Sequence, residues 1–253
     1  MRGAASGMLL LLGVACASGA PAAGRTGPRV APQPPPAHVL DVLERAATRG
    51  AARQRMDATA VISGVPGLGG LRVTSDVHAA RPARLYLGVQ AFLGPPVEEV
   101  WTDGETFLWR SLRPDAGARG PATAQRLATL LPVALPPSQW VGLLLGFPLP
   151  QEAPETLLDC PPGAAGPWCA ALVYASGATV ELSMEADGTV RHAVWRSGET
   201  RATVTYGPPD GPLGLPRTME VEQDGRTLGV RLTDVRVNAP APPAALFAPL
   251  YRH

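Results

Sequence analysis

The chain has 253 residues, 45% of them hydrophobic, and a formal net charge of +1. That balance gives no reason to expect nucleic acid as a partner. Every basic side chain is arginine and none is lysine, which excludes a lysine nucleophile or Schiff base.

The first residues read as an export signal. Arg2 gives a positive start, Met8 to Leu12 an unbroken apolar run, and Gly13, Val14 and Ala15 a compact exit. The run is far shorter than the roughly 20 residues a helix needs to cross a bilayer. Residues 1–15 are therefore expected to be a signal peptide. Cys16 directly after the exit fits a bacterial lipobox, in which it becomes the acylated first residue of the mature protein. The usual motif has Leu three places before the cysteine; here Gly13 stands there, with Leu12 one place further back. Cleavage after Ala17, with Ala15 and Ala17 as the A-x-A pair, is the alternative and gives a soluble periplasmic protein. Residues 16–37 are rich in Ala, Gly and Pro and cannot bury a core, so they read as a semi-rigid tether. The remaining 38–253 fit one domain.

Ala37 to Arg49 has helical spacing, with Val39, Leu40, Val42 and Leu43 on one face and Gly50 as the expected stop. The period then changes to two. Met56 to Ile62, Leu71 to Val77, Arg84 to Gln90, Val97 to Thr102 and Thr106 to Arg110 read as strands. Asp103-Gly104 is a strong hairpin signal. Pro121 to Leu131 and the greasy Pro137 to Leu145 read as helices. Strands resume at Cys169 to Tyr174, Thr179 to Met184, Val190 to Arg196, Ala202 to Tyr206, Thr218 to Glu222 and Thr227 to Val237. Asp187-Gly188 and Asp224-Gly225 turn two of them. The expected fold is mainly β with α: about ten or eleven strands in one curved antiparallel sheet, an unclosed barrel with helices packed in its mouth.

Cys160 and Cys169 flank a Pro- and Gly-rich loop. In an exported protein the default is a disulfide between them. No further Cys or paired His accompanies them to make a zinc site.

Catalytic patterns are missing. His38, His78, His192 and His253 stand apart, and no HExxH, GxSxG, P-loop or GxGxxG with strand context occurs. Glu98 and Glu99 are adjacent in a strand, so they face opposite ways and cannot act on one substrate. No enzyme activity, metal or cofactor is expected.

Several stretches together resemble the LolA/LolB lipoprotein-carrier superfamily, from about Val39 to Phe247. An amphipathic helix precedes Asp57-Ala58-Thr59-Ala60-Val61. Arg81-Pro82-Ala83-Arg84-Leu85 is similar to the step between early strands, and Val100-Trp101-Thr102-Asp103-Gly104-Glu105-Thr106-Phe107 to a hairpin. Leu215-Pro216-Arg217-Thr218-Met219 and Val235-Arg236-Val237-Asn238 with Leu246-Phe247 are similar to later strands and the close. The resemblance implies an apolar half-barrel that binds acyl chains or lipoproteins. With Cys16 acylated it implies an outer-membrane lipoprotein facing the periplasm, held to the membrane by its N-terminal lipid, with no nucleic acid and as a monomer. An envelope scaffold without lipid cargo is the other reading.

Small inward side chains suit an aliphatic ligand, and Leu85, Leu87, Val89, Trp101, Trp140 and Leu144 are the candidate cavity and lid residues. The same residues could instead pack solidly against the helices. LolB has an exposed apolar residue on an early loop that aids membrane insertion. Phe92 and Leu93 are the candidates for that tip here, against a reading in which both fold under the sheet.

Overall fold

The computed structural model describes residues 33–65, 72–90, 96–113, 116–131, 133–150, 152–160, 166–240 and 244–251. The chain opens with α1 (Ala37–Ala52), then runs β1 (Arg55–Ser63), β2 (Val73–Ala80), β3 (Arg84–Gln90), β4 (Pro96–Thr102), β5 (Thr106–Ser111) and β6 (Gly117–Pro121). Two helices follow, α2 (Ala124–Leu127) and α3 (Pro137–Leu144). Then come β7 (Thr156–Asp159), β8 (Trp168–Val173), β9 (Thr179–Met184), β10 (Val190–Ser197) and β11 (Thr200–Tyr206). The short β12 (Pro209–Asp210) and β13 (Leu215–Pro216) precede β14 (Thr218–Gln223) and the long β15 (Arg226–Val237). The described chain ends in α4 (Ala244–Phe247) and a 3-10 turn, Ala248–Tyr251.

Thirteen strands form one antiparallel sheet in the order β6-β5-β4-β3-β2-β1-β15-β14-β11-β10-β9-β8-β7, and β12 pairs only with β13. Each half is a meander. β15 pairs with both β1 and β14, so the start and the end of the sheet meet at its middle. β6 and β7 stand at the two edges and the barrel is not closed. Residues 122–155, with α2 and α3, carry the chain from one edge to the other. Phe107 on β5 and Leu172 on β8 belong to one core with α1 and α3. Strands so far apart can share a core only if the sheet curves around it.

The turns follow the side chains that make them. Asp103 accepts backbone hydrogen bonds from Glu105 and Thr106 at 3.0 and 2.8 Å, the Asx turn that makes Asp-Gly a hairpin signal. Asp224 and Gly225 both take positive φ, 51° and 73°, as a two-residue hairpin with the native strand twist requires.

Helix α1 runs past the expected stop at Gly50. Here glycine is a packing device. A Cβ there would lie 2.4 Å from Phe147 Cγ, so the bare backbone lets α1 close on the segment after α3. Gly50→Val should cost about 2 kcal/mol through overpacking, read as a lower urea midpoint with unchanged slope.

Two differences from the sequence expectation lie at the sheet edges. Pro121 ends β6 and does not start a helix. Proline is tolerated there because an edge strand does not need every N–H. The helix that follows is only Ala124–Leu127, capped by the Thr123 hydroxyl, which accepts from Arg126 N. β6 (Gly-Ala-Arg-Gly-Pro) and β7 carry little strand propensity and exist by pairing to β5 and β8.

Candidate functional site

The sheet has an inner face over α1 and α3 and an outer face. Period-two alternation assigns side chains to each. On β3, Leu85, Leu87 and Val89 face inward, while Tyr86 and Gly88 face outward. Most of the inner face is filled. Trp140, Val141, Leu143 and Leu144 of α3 are buried in the same core as Leu85, and α1 adds Val39, Val42, Leu43 and Ala46. Leu85, Trp140 and Leu144 are thus part of the packed core.

The filling stops toward one end of the sheet. A cavity of about 390 Å³ lies between the inner faces of β1 to β5 and the segment after α2. Its walls include Ile62, Leu87, Val89, Val100 and Trp109 from the sheet, with Leu130 and Leu131 opposite. Polar side chains are placed among them: Ser75, Gln90, Glu98, Arg113 and Thr129. A small-molecule site has this build, mostly apolar with a few polar groups, and sites of roughly 300–1,000 Å³ are usual. Of the six expected cavity residues, Leu87 and Val89 line it.

Trp101 does not. It pairs with Tyr86 across β3 and β4, on the outer face, where α4 and the 3-10 turn cover both. Tyr86, Trp101, Leu108, Phe247 and Leu250 make a second, separate core. Trp101 Nε1 donates to the Leu246 carbonyl at 2.8 Å. A one-residue shift in register faces the other way, and Trp101 stands one place beyond the inward Val100.

Cys16, Phe92 and Leu93 lie outside the described residues. Cys160 and Cys169 form a disulfide, with Cα atoms 5.7 Å apart.

A larger concavity, about 810 Å³, opens on the outer face along β1, β2 and β15. Here Asp57 and His78, directly opposite each other on β1 and β2, are 2.8 Å apart between Oδ1 and Nδ1. Arg236 lies 3.8 Å from the other Asp57 oxygen, and Arg217 donates to Asp210 at 2.8 Å. Asp57, His78, Asp210 and Arg217 of this groove are thus paired, so the inner cavity is the better candidate for a desolvated ligand. Asp57 and His78 could have been joined from sequence only with the register of β1 on β2 in hand.

Sequence reasoning also missed Arg53, which follows α1 and is 3% exposed. Its guanidinium donates to four carbonyls: Leu213 at 3.0 and 2.7 Å, Leu145 at 2.9 Å, Gly214 at 3.0 Å and Gly146 at 3.4 Å. Burial, then the neighbouring Arg49, pulls its pKa down to about 10, so it stays charged at neutral pH. It ties the end of α1 to the end of α3 and to the loop before β13. Beside it, Tyr206 donates to the Leu143 carbonyl at 3.1 Å, and burial holds its phenol well above the ordinary range.

Among the described residues no group of three or more His, Cys, Asp or Glu could hold a metal, and no helix is long and apolar enough to cross a membrane. No family model matches the sequence, and the comparison with curated proteins finds no match. Solved structures do match. A LolA superfamily protein from Nitrosomonas europaea superposes with a TM-score of 0.51 at 14% identity, covering 83% of this chain and 96% of that one. A DUF1329 family protein from Desulfovibrio piger gives 0.57 at 12% identity, covering 84% and 98%. The fold is LolA-like. At such identities the likeness lies in the fold alone. The use of the cavity must therefore be argued from this chain's own residues.

Proposed function

We propose that this chain is a lipid-anchored envelope protein whose inner cavity takes an acyl chain, in lipoprotein or lipid handling. The observation that carries the reading is the apolar cavity at the unfilled end of the LolA-like sheet. Counting a methylene at the ~30 Å³ that one water occupies in the liquid, 390 Å³ is space for roughly a dozen carbons. At about 0.8 kcal/mol per buried methylene, such a chain gains about 10 kcal/mol. Association costs of at least about 4 kcal/mol bring this to a Kd on the order of 10–100 micromolar. Calorimetric titration of the purified domain with dodecyl-chain amphiphiles below their micellar concentration should give saturable, one-to-one binding in that range. Absence of binding would sink the reading.

Membrane attachment is proposed through Cys16, with residues 16–37 as the tether; a soluble periplasmic form is the alternative. Intact-mass measurement of the mature protein separates them, since a diacylglycerol adduct on Cys16 is expected and an unmodified N-terminus at Ser18 is the contrary result. The segment with Phe92 and Leu93 leaves from Gln90 and returns at Pro96, which pair across β3 and β4 beside the cavity-lining Val89 and Val97. An apolar tip there would meet the bilayer with the cavity mouth behind it. Leu93→Glu is expected to keep the melting temperature and acyl binding while lowering transfer of a lipidated cargo to vesicles several-fold. A variant that unfolds would identify Leu93 as core.

A further inference from the structure

The cavity has charges at its rim that are not paired with each other. Glu98 is on β4, directly opposite Ser111 on one side and the cavity-lining Val89 on the other. It is half-buried. Arg113 lies two places beyond Ser111, in the bend that follows β5, and is exposed; both it and Glu98 line the cavity. The two line one cavity and form no ion pair with each other, so one ligand in the cavity can touch both. Among the described residues neither makes a hydrogen bond or ion pair through its side chain. The contrast with the next carboxylate is informative. Glu99, on the outer face, accepts from the Tyr86 hydroxyl at 3.1 Å. The Glu98 carboxylate is left unpartnered at the edge of an apolar space, where a charge is costly unless something pairs with it.

We propose that the cavity selects amphiphiles with a zwitterionic head, a primary ammonium and a phosphate ester on one short linker, with the acyl chain running inward past Val89 and Leu87. This rests on the acyl-chain reading above and adds the class of head group. Arg113 presents a planar fork of donors to the phosphate. Glu98 accepts from the ammonium. A free fatty acid or an anionic glycerol head would bring only negative charge toward Glu98. A choline head carries the positive charge with no N–H to donate, so it would lose the hydrogen bond and keep only the weaker charge attraction.

The test is calorimetric titration of the wild-type domain, Glu98→Gln and Arg113→Gln with lauroyl lysophospholipids of one chain length and three heads: ethanolamine, choline and glycerol. The wild type should bind the ethanolamine form about tenfold tighter than the glycerol form, with choline between them. Glu98→Gln should remove that preference while keeping or improving glycerol-head binding, which also shows that the variant is folded. Arg113→Gln should weaken all three alike. Equal wild-type affinity for the three heads, or a preference that survives Glu98→Gln, overturns the head-group proposal and leaves the acyl cavity standing. Binding of none of the three overturns the acyl reading and this proposal with it.

Discussion

Replacing Arg53 with Ala is expected to lower the unfolding free energy by about 4 kcal/mol, the largest single-site loss argued from this structure. Among the described residues Arg53 binds no carboxylate. Its donors end on the carbonyls of Leu145, Gly146, Leu213 and Gly214, at the end of α3 and in the loop before β13. Removing the side chain leaves these acceptors and a hole. Each buried acceptor left unpaired costs roughly 1–3 kcal/mol, with water able to reach those in the partly exposed loop. At about 2–4 °C per kcal/mol for a domain of this size, the melting temperature should fall by on the order of 10 °C. Arg53→Lys should recover less than half of that, because an ammonium cannot present a fork to four acceptors. Thermal melts followed by circular dichroism decide it. A loss under about 1 kcal/mol for Arg53→Ala would mean that the three segments are held by packing alone.

Arg53 also marks the limit of what the sequence discloses. The alternation at Met56, Ala58, Ala60 and Ile62 is legible because a strand with one buried face must repeat every second residue. The Asp-Gly turns are legible because the geometry needs positive φ. Those local rules yield the β meander, the first helix and α3. Edge strands β6 and β7 escape them, since their pairing comes from neighbours and not from their own side chains. An arginine after a helix reads as solvated until the partners more than ninety residues away are in place. The candidate cavity was half legible. Inward alternation identifies Leu87 and Val89, but whether a helix fills the space above each one depends on where α3 and the segment after α2 come to rest. Trp101 shows the same limit from the other side: its strand was recognised, its face was not.

Val89→Trp should abolish acyl binding while leaving the protein folded. Val89 is partly exposed and lines the unfilled end of the inner face, so an indole can enter open space there without displacing packed neighbours. It would occupy the length of chain that the cavity otherwise holds. Losing burial of about four methylenes, at about 0.8 kcal/mol each, removes about 3 kcal/mol and raises Kd by about two orders of magnitude. Val61→Trp is the matched control. Val61 lies on the outer face of β1, in a separate concavity with Ser63 and Arg231, and gains the same indole with no access to the cavity. Titration with a lauroyl amphiphile should therefore register saturable heat for the wild type and Val61→Trp, and none for Val89→Trp. Melting temperatures of both variants should stay within a few degrees of the wild type, because neither substitution enters packed core. Equal binding by all three proteins would place the ligand elsewhere, with the outer groove along β1 and β15 the next surface to block. Unfolding of Val89→Trp alone would instead mean that the space beside Val89 closes in solution, and a Val89→Phe variant, smaller by one ring, would then show graded loss of binding if the cavity is real and none if it is not.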